Sequence, residues 1–455
     1  MAGIGFELRR VIGTRGVSRS LGAALSGVMV VAGPWLTTIL AVSASRLLFA
    51  RGGSPWAPQF QAAVVYAYAV SLALFAGPQH LFTRIVADLI WEGKRREGAR
   101  WLVRFASFAT LASAVLGIVA MAFLPVSVPG AWAYRGAWAL LFAAINALWM
   151  VMLFVSLLRR YLQVALVFAG GMAASVSLAA LAPTSWGPAG PVLGYAVGHA
   201  LAAVGLLDLS LAAFPPAPAP KPWKTIGTYL GKRGALVLSG AFYYLGHWAD
   251  KFAFWISRGT PVEGTPFALY ERYDLSVYLA GLVLVPGLVY FTVWTETGVA
   301  SSIRRFLRIV GRGAVDDISE ARDRLRGEVF GELKSLFLFQ LLFSAAAAAW
   351  LLRSPGEAST LTIIALGGAM LQLVLMASIN VLYYFELQGR AFAAAAVFLG
   401  LNGLVFPPLA EALRGPSPGV GYLASAGIAS LIALSLLAQA LPATDRALFL
   451  RAVKR

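Results

Sequence analysis

Cysteine is absent from this chain of 455 residues, which excludes disulfides, thiolate nucleophiles and cysteine-ligated metal centres. Histidine is nearly as scarce, at three. None of the three lies in a metal-binding pattern such as two histidines four residues apart with a glutamate, so no metal and no other cofactor is expected. A glycine-rich phosphate loop of the Walker type is also missing. Charge is sparse: 13% of residues are Asp, Glu, Lys or Arg and 59% are hydrophobic, with a mean hydropathy of +0.75, whereas soluble domains carry about 25% charged residues. Acidic side chains are the scarcer of the two signs, 20 against 37 basic ones, for a net charge of +17.

What fills the chain instead is long apolar runs. Roughly twelve stretches, near residues 21–49, 61–86, 103–124, 137–158, 162–182, 189–213, 234–257, 275–299, 333–352, 360–385, 391–413 and 419–441, each reach the ~20 residues that cross a bilayer core as helix. Backbone polar groups find no water in hydrocarbon, and unbroken runs of this length do not alternate as barrel strands do. The expected fold is therefore an all-α polytopic membrane protein with twelve transmembrane helices.

The basic residues decide between polyanion binding and topology. Arg46, Arg51, Arg135, Arg258, Arg272, Arg353 and Arg414 fall on one side and Lys251 deep within a span, while every other one of the 37 falls on the opposite side, in the alternate loops, at the span ends beside them or in the termini. By the positive-inside rule those loops are cytoplasmic, which puts both termini inside and agrees with an even number of spans. Topology thus accounts for the charge without a nucleic-acid partner, and the basic surface is expected to meet anionic membrane lipids. Ile4, Leu8, Val11 and Ile12 recur at helical spacing beside Arg9, Arg10, Arg15 and Arg19, so residues 1–20 read as an amphipathic segment on the inner surface. The apolar run that follows is longer than the ~7–15 residues of a cleavable signal's core.

Pro215, Pro216, Pro218, Pro220 and Pro222 mark a stiff connector over residues 215–233. It divides an N-terminal six-helix lobe, residues 21–214, from a C-terminal one, residues 234–441, with a cytoplasmic tail over 442–455. Two such halves suggest parallel repeats about an axis along the membrane normal, with a substrate path between them. The largest polar piece, residues 301–332, reads as a cytoplasmic helical loop too small for a domain with its own core.

Ionisable residues inside spans cost about 2.5–3.5 kcal/mol each on insertion scales, so their positions are candidate sites. The seventh span carries His247, Asp250 and Lys251, with His247 spaced to share a face with the pair. Asp250 and Lys251 point about 100° apart and call for partners on other helices. A hydrated path and a structural ion pair both fit that cluster. The nearby aromatics Tyr243, Tyr244, Trp248, Phe252, Phe254 and Trp255 suit either sugar rings or core packing. In the second span Gly77 and Pro78 suggest a bend, and Arg84 and Asp88 share a face beyond it. The eighth span opens at Asp274, which suits a helix N-terminus, is interrupted at Pro286 and Gly287, and ends near Glu296. Asn146, Gln163, Gln372, Asn380 and Asn402 read as interhelical hydrogen-bonding groups, and His199 and Asp208 stand isolated in the sixth span. No catalytic constellation is present, so a transporter outranks an enzyme.

The order of several landmarks resembles the PelG family of Pel exopolysaccharide exporters. They are the opening Met1 Ala2 Gly3 Ile4 Gly5 Phe6 Glu7 Leu8 Arg9, then Gly33 Pro34 Trp35, Gly77 Pro78, Thr83 Arg84, Ala87 Asp88, Trp248, Asp250 Lys251 Phe252, Tyr273 Asp274, Pro286, Glu296 Thr297, and Asn380 with Tyr383 Tyr384 Phe385. His247, where an apolar residue is expected, and Gly298 Val299 Ala300, where aromatic and charged residues are expected, depart from the pattern. The resemblance spans essentially the whole chain. It implies a place in the flippase superfamily of oligosaccharide-lipid flippases and multidrug exporters, hence a two-lobed fold with alternate access or a gated central path. It further implies an inner-membrane exporter of an amino-sugar-rich biofilm polysaccharide, working beside a cytoplasmic glycosyltransferase and membrane subunits bearing the cyclic-di-GMP receptor. On this reading Arg84, Asp88, His247, Asp250, Lys251, Asp274 and Glu296 line or gate the path, and Pro78 and Pro286 serve as hinges. The rivals are a cation-coupled flippase of small molecules or lipid-linked oligosaccharides, and a non-conducting scaffold for a glycosyltransferase.

Overall fold

The structure is a computed structural model that describes residues 33–52, 54–155, 158, 160–217, 222–311, 313–412 and 418–444. The amphipathic segment expected near the N-terminus, the first part of the span 21–49, the middle of the proline-rich connector and the tail beyond residue 444 lie outside the described residues. The described chain is helical apart from one small hairpin. Its helices are α1 (Gly33–Gly52), α2 (Ala57–Trp91), α3 (Arg95–Phe123), α4 (Ala131–Val155), α5 (Tyr161–Ala180), α6 (Ala189–Ala213), α7 (Pro222–Arg258) and α8 (Glu271–Val283). After these come α9 (Val285–Tyr290), α10 (Glu296–Val310), α11 (Val315–Leu351), α12 (Glu357–Tyr384), α13 (Gln388–Leu399), α14 (Phe406–Ala412) and α15 (Pro418–Ala440). Strands β1 (Thr260–Pro261) and β2 (Ala268–Leu269) pair antiparallel after α7.

Among the described residues nine helices are long and apolar enough to cross a membrane, and the bent run α8 to α10 makes a tenth when taken as one span. The chain is thus a multi-pass membrane protein. α7 is not among the nine, because the segment that covers the seventh expected span carries His247, Asp250, Lys251 and several tyrosines. It also starts earlier than the expected connector allows. Pro222 is tolerated in the first turn, where a backbone N–H has no intrahelical partner, and helical geometry breaks only at Arg233, with φ −132° and ψ 19°. The connector itself is tied down at its start, where Arg96 donates to the Pro215 carbonyl at 3.2 Å and the Ala217 N–H donates to the Arg96 carbonyl at 3.1 Å. α2 runs unbroken through Pro78 for 35 residues.

The chain forms two compact units. The first holds Ala32–Trp248 and Trp255–Tyr270; the second holds Ala249–Phe254 and the described residues from Glu271 onward. In the first unit α6 packs on both α4 and α5. Its contact with α5 is a backbone-to-backbone one: a Cβ added at Gly198 would lie 2.2 Å from the Ser175 nitrogen, and one at Gly194 only 2.5 Å from the Leu178 carbonyl carbon. Four-residue spacing of small residues permits this approach where lipid offers no hydrophobic drive for helices to associate. The β1–β2 hairpin also belongs here, with Tyr66 donating to the Ala268 carbonyl at 2.9 Å and the Ser127 N–H donating to the Gly264 carbonyl at 2.9 Å.

In the second unit α12 is the hub, packed on α8, α11, α13 and α15. The span α8 to α10 bends by 42° at the break before Pro286. A proline N lacks the hydrogen that would bond four residues back, and its ring crowds that turn. Gln340 of α11 supports the break one residue on from the carbonyl that Pro286 leaves: its Nε2 donates to the Val283 carbonyl at 3.1 Å and lies 3.1 Å from Ser344 Oγ. Gly287 makes room, since a Cβ there would sit 2.3 Å from Gln340 Oε1. An exposed carbonyl in hydrocarbon is costly, so Gln340→Leu is expected to destabilise the protein by about 1–3 kcal/mol, read as a lower melting temperature in detergent. Beyond Tyr290 the span passes through a π-helical turn, Phe291–Thr295, and a second π-helical segment, Gly400–Val405, separates α13 from α14. Such wide turns re-aim side chains and recur at functional sites.

Candidate functional site

Asp250 and Lys251 lie in the short part of α7 that belongs to the second unit, 1% and 3% exposed. Their backbones diverge by about 100°, yet Lys251 Nζ reaches back to within 3.0 Å of Asp250 Oδ1 and 3.4 Å of Oδ2. The flexible four-carbon stem of lysine allows this where a shorter cation would fail. Other helices complete the site. Tyr273 of α8 donates its hydroxyl to Asp250 Oδ2, and the Lys251 ammonium stands 5.9 Å from the Tyr273 ring centroid and 5.1 Å from that of Tyr422 on α15. Tyr422 in turn donates to Gln372 Oε1 of α12 at 2.5 Å. A Cβ at Gly403, in the second π-helical segment, would lie 2.7 Å from Ala249 Cβ, so a glycine there lets that segment press against α7 beside the pair.

The arrangement is a neutral ion pair held between aromatic faces, and a cation over an aromatic ring gains from the ring's negative face. Both carboxylate oxygens of Asp250 are engaged. A ligand ammonium would gain Asp250 in place of the Lys251 ammonium, and a ligand hydroxyl in place of the Tyr273 hydroxyl; each exchange keeps the charge at the carboxylate unchanged.

Glu296 sits in the same unit, buried at the start of α10, and accepts a hydrogen bond from Tyr384 at the end of α12 at 2.8 Å. Gly298, which departs from the family pattern, has a local role: its missing side chain admits the Glu332 carboxylate, whose Oε1 would lie 2.1 Å from a Cβ. Asp274 stands in the first turn of α8, where its charge suits the helix dipole. Pro286 stands just beyond the bend.

Arg84 and Asp88 belong to the first unit. Arg84 grips Asp88 at 3.0 and 3.2 Å, and Tyr229 of α7 donates to Asp88 Oδ2 at 2.9 Å. Burial first, then the bond to Asp88, pushes the Tyr229 phenol up to about 12. With side chains 28% and 32% exposed, the Arg84–Asp88 pair is screened and contributes about 0–1 kcal/mol. The His247 ring stands edge-on to Trp248 at 5.4 Å. Pro78 lies within the unbroken α2.

One constellation escaped the sequence reading. His199, isolated along the chain, is fully buried in the first unit with Tyr68 of α2, Ser175 of α5 and the Tyr195 carbonyl around its ring. Only the helix pairing reveals it, since Tyr68 is 131 residues away. Among the described residues no group of three or more His, Cys, Asp or Glu is placed to hold a metal ion.

The profile of the family described as "PelG: Putative exopolysaccharide Exporter (EPS-E)" matches residues 1–449. The chain belongs to the PelG family. No curated protein matches it. Among solved structures the PelG-family chain is similar to the Vibrio cholerae MATE transporter VcmN in its bent form, at 15% identity over 93% of this chain and 98% of that one, with a TM-score of 0.60. A MATE in the straight conformation matches at 15% identity over 93% and 97%, with a TM-score of 0.62. A multidrug resistance MATE family transporter of the MOP superfamily, outward-facing, matches at 13% identity over 92% and 96%, with a TM-score of 0.61. These likenesses establish a MATE-like transporter fold. This PelG-family protein is accordingly a membrane transporter rather than an enzyme, and its family implies a polysaccharide substrate.

Proposed function

We propose that the chain moves a nascent, amino-sugar-rich exopolysaccharide from the cytoplasm across the inner membrane, with twelve spans in two six-helix lobes, both termini cytoplasmic and the polymer passing between the lobes. The observation that carries the reading is the family match over nearly the whole chain. The chemistry of the buried pair is consistent with it, because Asp250 can trade the Lys251 ammonium for an ammonium of the sugar chain, or the Tyr273 hydroxyl for a sugar hydroxyl, and keep its counter-charge in either case. Tyr273 and Tyr422 offer ring faces beside that exchange. Glu296 with Tyr384, and Arg84 with Asp88, act as gating contacts, and the bend at Pro286 supplies the hinge. A cytoplasmic glycosyltransferase and cyclic-di-GMP-receptor subunits deliver the polymer.

The test is Asp250→Asn, which keeps the side-chain shape and removes the charge, scored in producing cells for both secreted polymer and membrane abundance. Secreted polymer per molecule of membrane-inserted protein is expected to fall at least about tenfold, the scale of losing one charge-assisted contact, beyond any fall in abundance caused by the unpaired Lys251 ammonium. Normal secretion at normal abundance removes Asp250 from the transport step.

A further inference from the structure

The transport reading leaves unused the buried cluster around His199, whose hydrogen bonds fix the tautomer of its neutral ring. Ser175 Oγ donates its hydrogen to the Gly171 carbonyl at 3.0 Å, so it turns a lone pair towards His199 Nδ1 at 3.0 Å. The Tyr195 carbonyl is a second acceptor, 2.9 Å from the same nitrogen. Two acceptors at Nδ1 require that Nδ1 carry the hydrogen. Nε2 is then the acceptor in the neutral ring, and Tyr68 supplies its O–H at 2.5 Å. Neutral His199 is thereby satisfied at both nitrogens.

A proton taken from hydronium forms an N–H bond at Nε2 as the hydronium O–H bond breaks and water is released, and it turns that nitrogen into a donor facing another donor. The conflict clears when the Tyr68 hydroxyl rotates, accepts a hydrogen bond from Nε2 and donates its own O–H hydrogen bond to another acceptor. Two groups stand beside Tyr68 to take it: Thr38 of α1 and the Tyr195 hydroxyl, which is buried without a well-formed hydrogen bond. The titratable groups facing the imidazole are Tyr68 from α2 and Tyr195 from α6. From α5 comes Ser175, and from α4 the Trp149 ring beyond Tyr68, at 6.5 Å. Among the charged residues of these helices whose side chains are described, Arg84 and Asp88 pair with each other, Arg135 lies over the Trp132 ring, and Arg51 and Asp208 are exposed.

We propose that His199 is the proton-binding site of this transporter, with Tyr68 and Tyr195 as its hydrogen-bond relay, and that its protonation couples polymer export to the proton gradient. Protonation rearranges hydrogen bonds that link α2, α5, α6 and α1, at the place where α5 and α6 touch backbone to backbone through Gly198. The coupling part of this inference rests on the exporter reading; proton binding at His199 does not.

The experiment uses the full chain in two settings. In producing cells His199→Gln keeps an acceptor and a donor on the side chain but binds no proton. Secreted polymer is expected to fall at least about tenfold at unchanged membrane abundance, and the residual secretion to lose the protonophore sensitivity of the unsubstituted protein. Secretion at the original level overturns the coupling. In proteoliposomes the protein labelled with 15N-histidine is followed by solid-state NMR from about pH 8 down to pH 4, which contains the range of about pH 8 to 5 over which an ordinary histidine switches. Three histidines keep the spectrum simple, and the signal absent from His199→Gln identifies the ring. The expected result is an Nδ1–H neutral ring that gains a second hydrogen reversibly, with a midpoint displaced in Tyr68→Phe. Where His199→Gln fails to accumulate, His80→Gln and His247→Gln assign the other two rings, and a His199 ring that stays neutral throughout overturns the site. If the unsubstituted protein secretes no polymer but His199 titrates, the exporter reading fails and the proton site stands.

Discussion

Lys251→Met is expected to destabilise the protein by about 3–5 kcal/mol, the cost of leaving a buried carboxylate without its counter-charge. Asp250 is 1% exposed, and Lys251 supplies the cation beside it while the Tyr273 hydroxyl is neutral. The double substitution Asp250→Asn with Lys251→Met removes both charges and is expected to recover most of the loss, because neutral side chains of similar size suit a dry interior at least as well as an ion pair does. Melting temperatures of the three variants in detergent close the double-mutant cycle. If the double variant is as unstable as the sum of its parts, the two residues do not act as a pair. Recovery in the double variant would show that the pair is not required for stability, which is the physical ground for its proposed part in transport. A double variant that folds and melts normally but secretes no polymer separates the two roles.

Gly198→Val is the second large effect. Added atoms would meet the Ser175 backbone nitrogen and Oγ at 2.2 and 2.3 Å, and backbone cannot step aside as a flexible side chain can. The helices α5 and α6 must separate, at an expected cost of about 1–3 kcal/mol or more, typical of overpacking. The separation would also pull Ser175 from His199, so the variant is expected to lose both membrane abundance and secretion. Gly170→Ala, on α5 with nothing within 4 Å of an added Cβ, is the control and is expected to behave normally. Equal losses in the two variants would mean that close packing at Gly198 is not what matters.

Those two cases show where sequence stops informing. Apolar length and the alternation of arginines carried the all-α, multi-pass reading, because hydrocarbon leaves a backbone few choices. The break at Pro286 was visible for the same reason: a missing N–H is a local fact. Asp250, Lys251 and Glu296 were visible because charge inside an apolar run is costly wherever it sits. Their partners were not. Tyr273, Tyr384 and Tyr422 look like any of the fifteen tyrosines until helix packing brings them to the carboxylates and the ammonium. The direct bond between Asp250 and Lys251 was hidden by the 100° turn between neighbours, which the reach of lysine overrides. The helical start at Pro222 was missed because the prolines before it read as one extended tract, although proline suits a helix's first turn. Neither π-helical segment has a local signature, since a widened turn is set by what packs against it.

The most direct measurement reconstitutes the purified chain in vesicles, supplies an amino-sugar oligosaccharide on one face and, after incubation, adds a hydrolase to that face. The exporter account predicts sugar protected inside the vesicles with the unsubstituted protein and none above background with Asp250→Asn. Protection that is equal for the two proteins, or absent from both while the partner subunits are present, would contradict it.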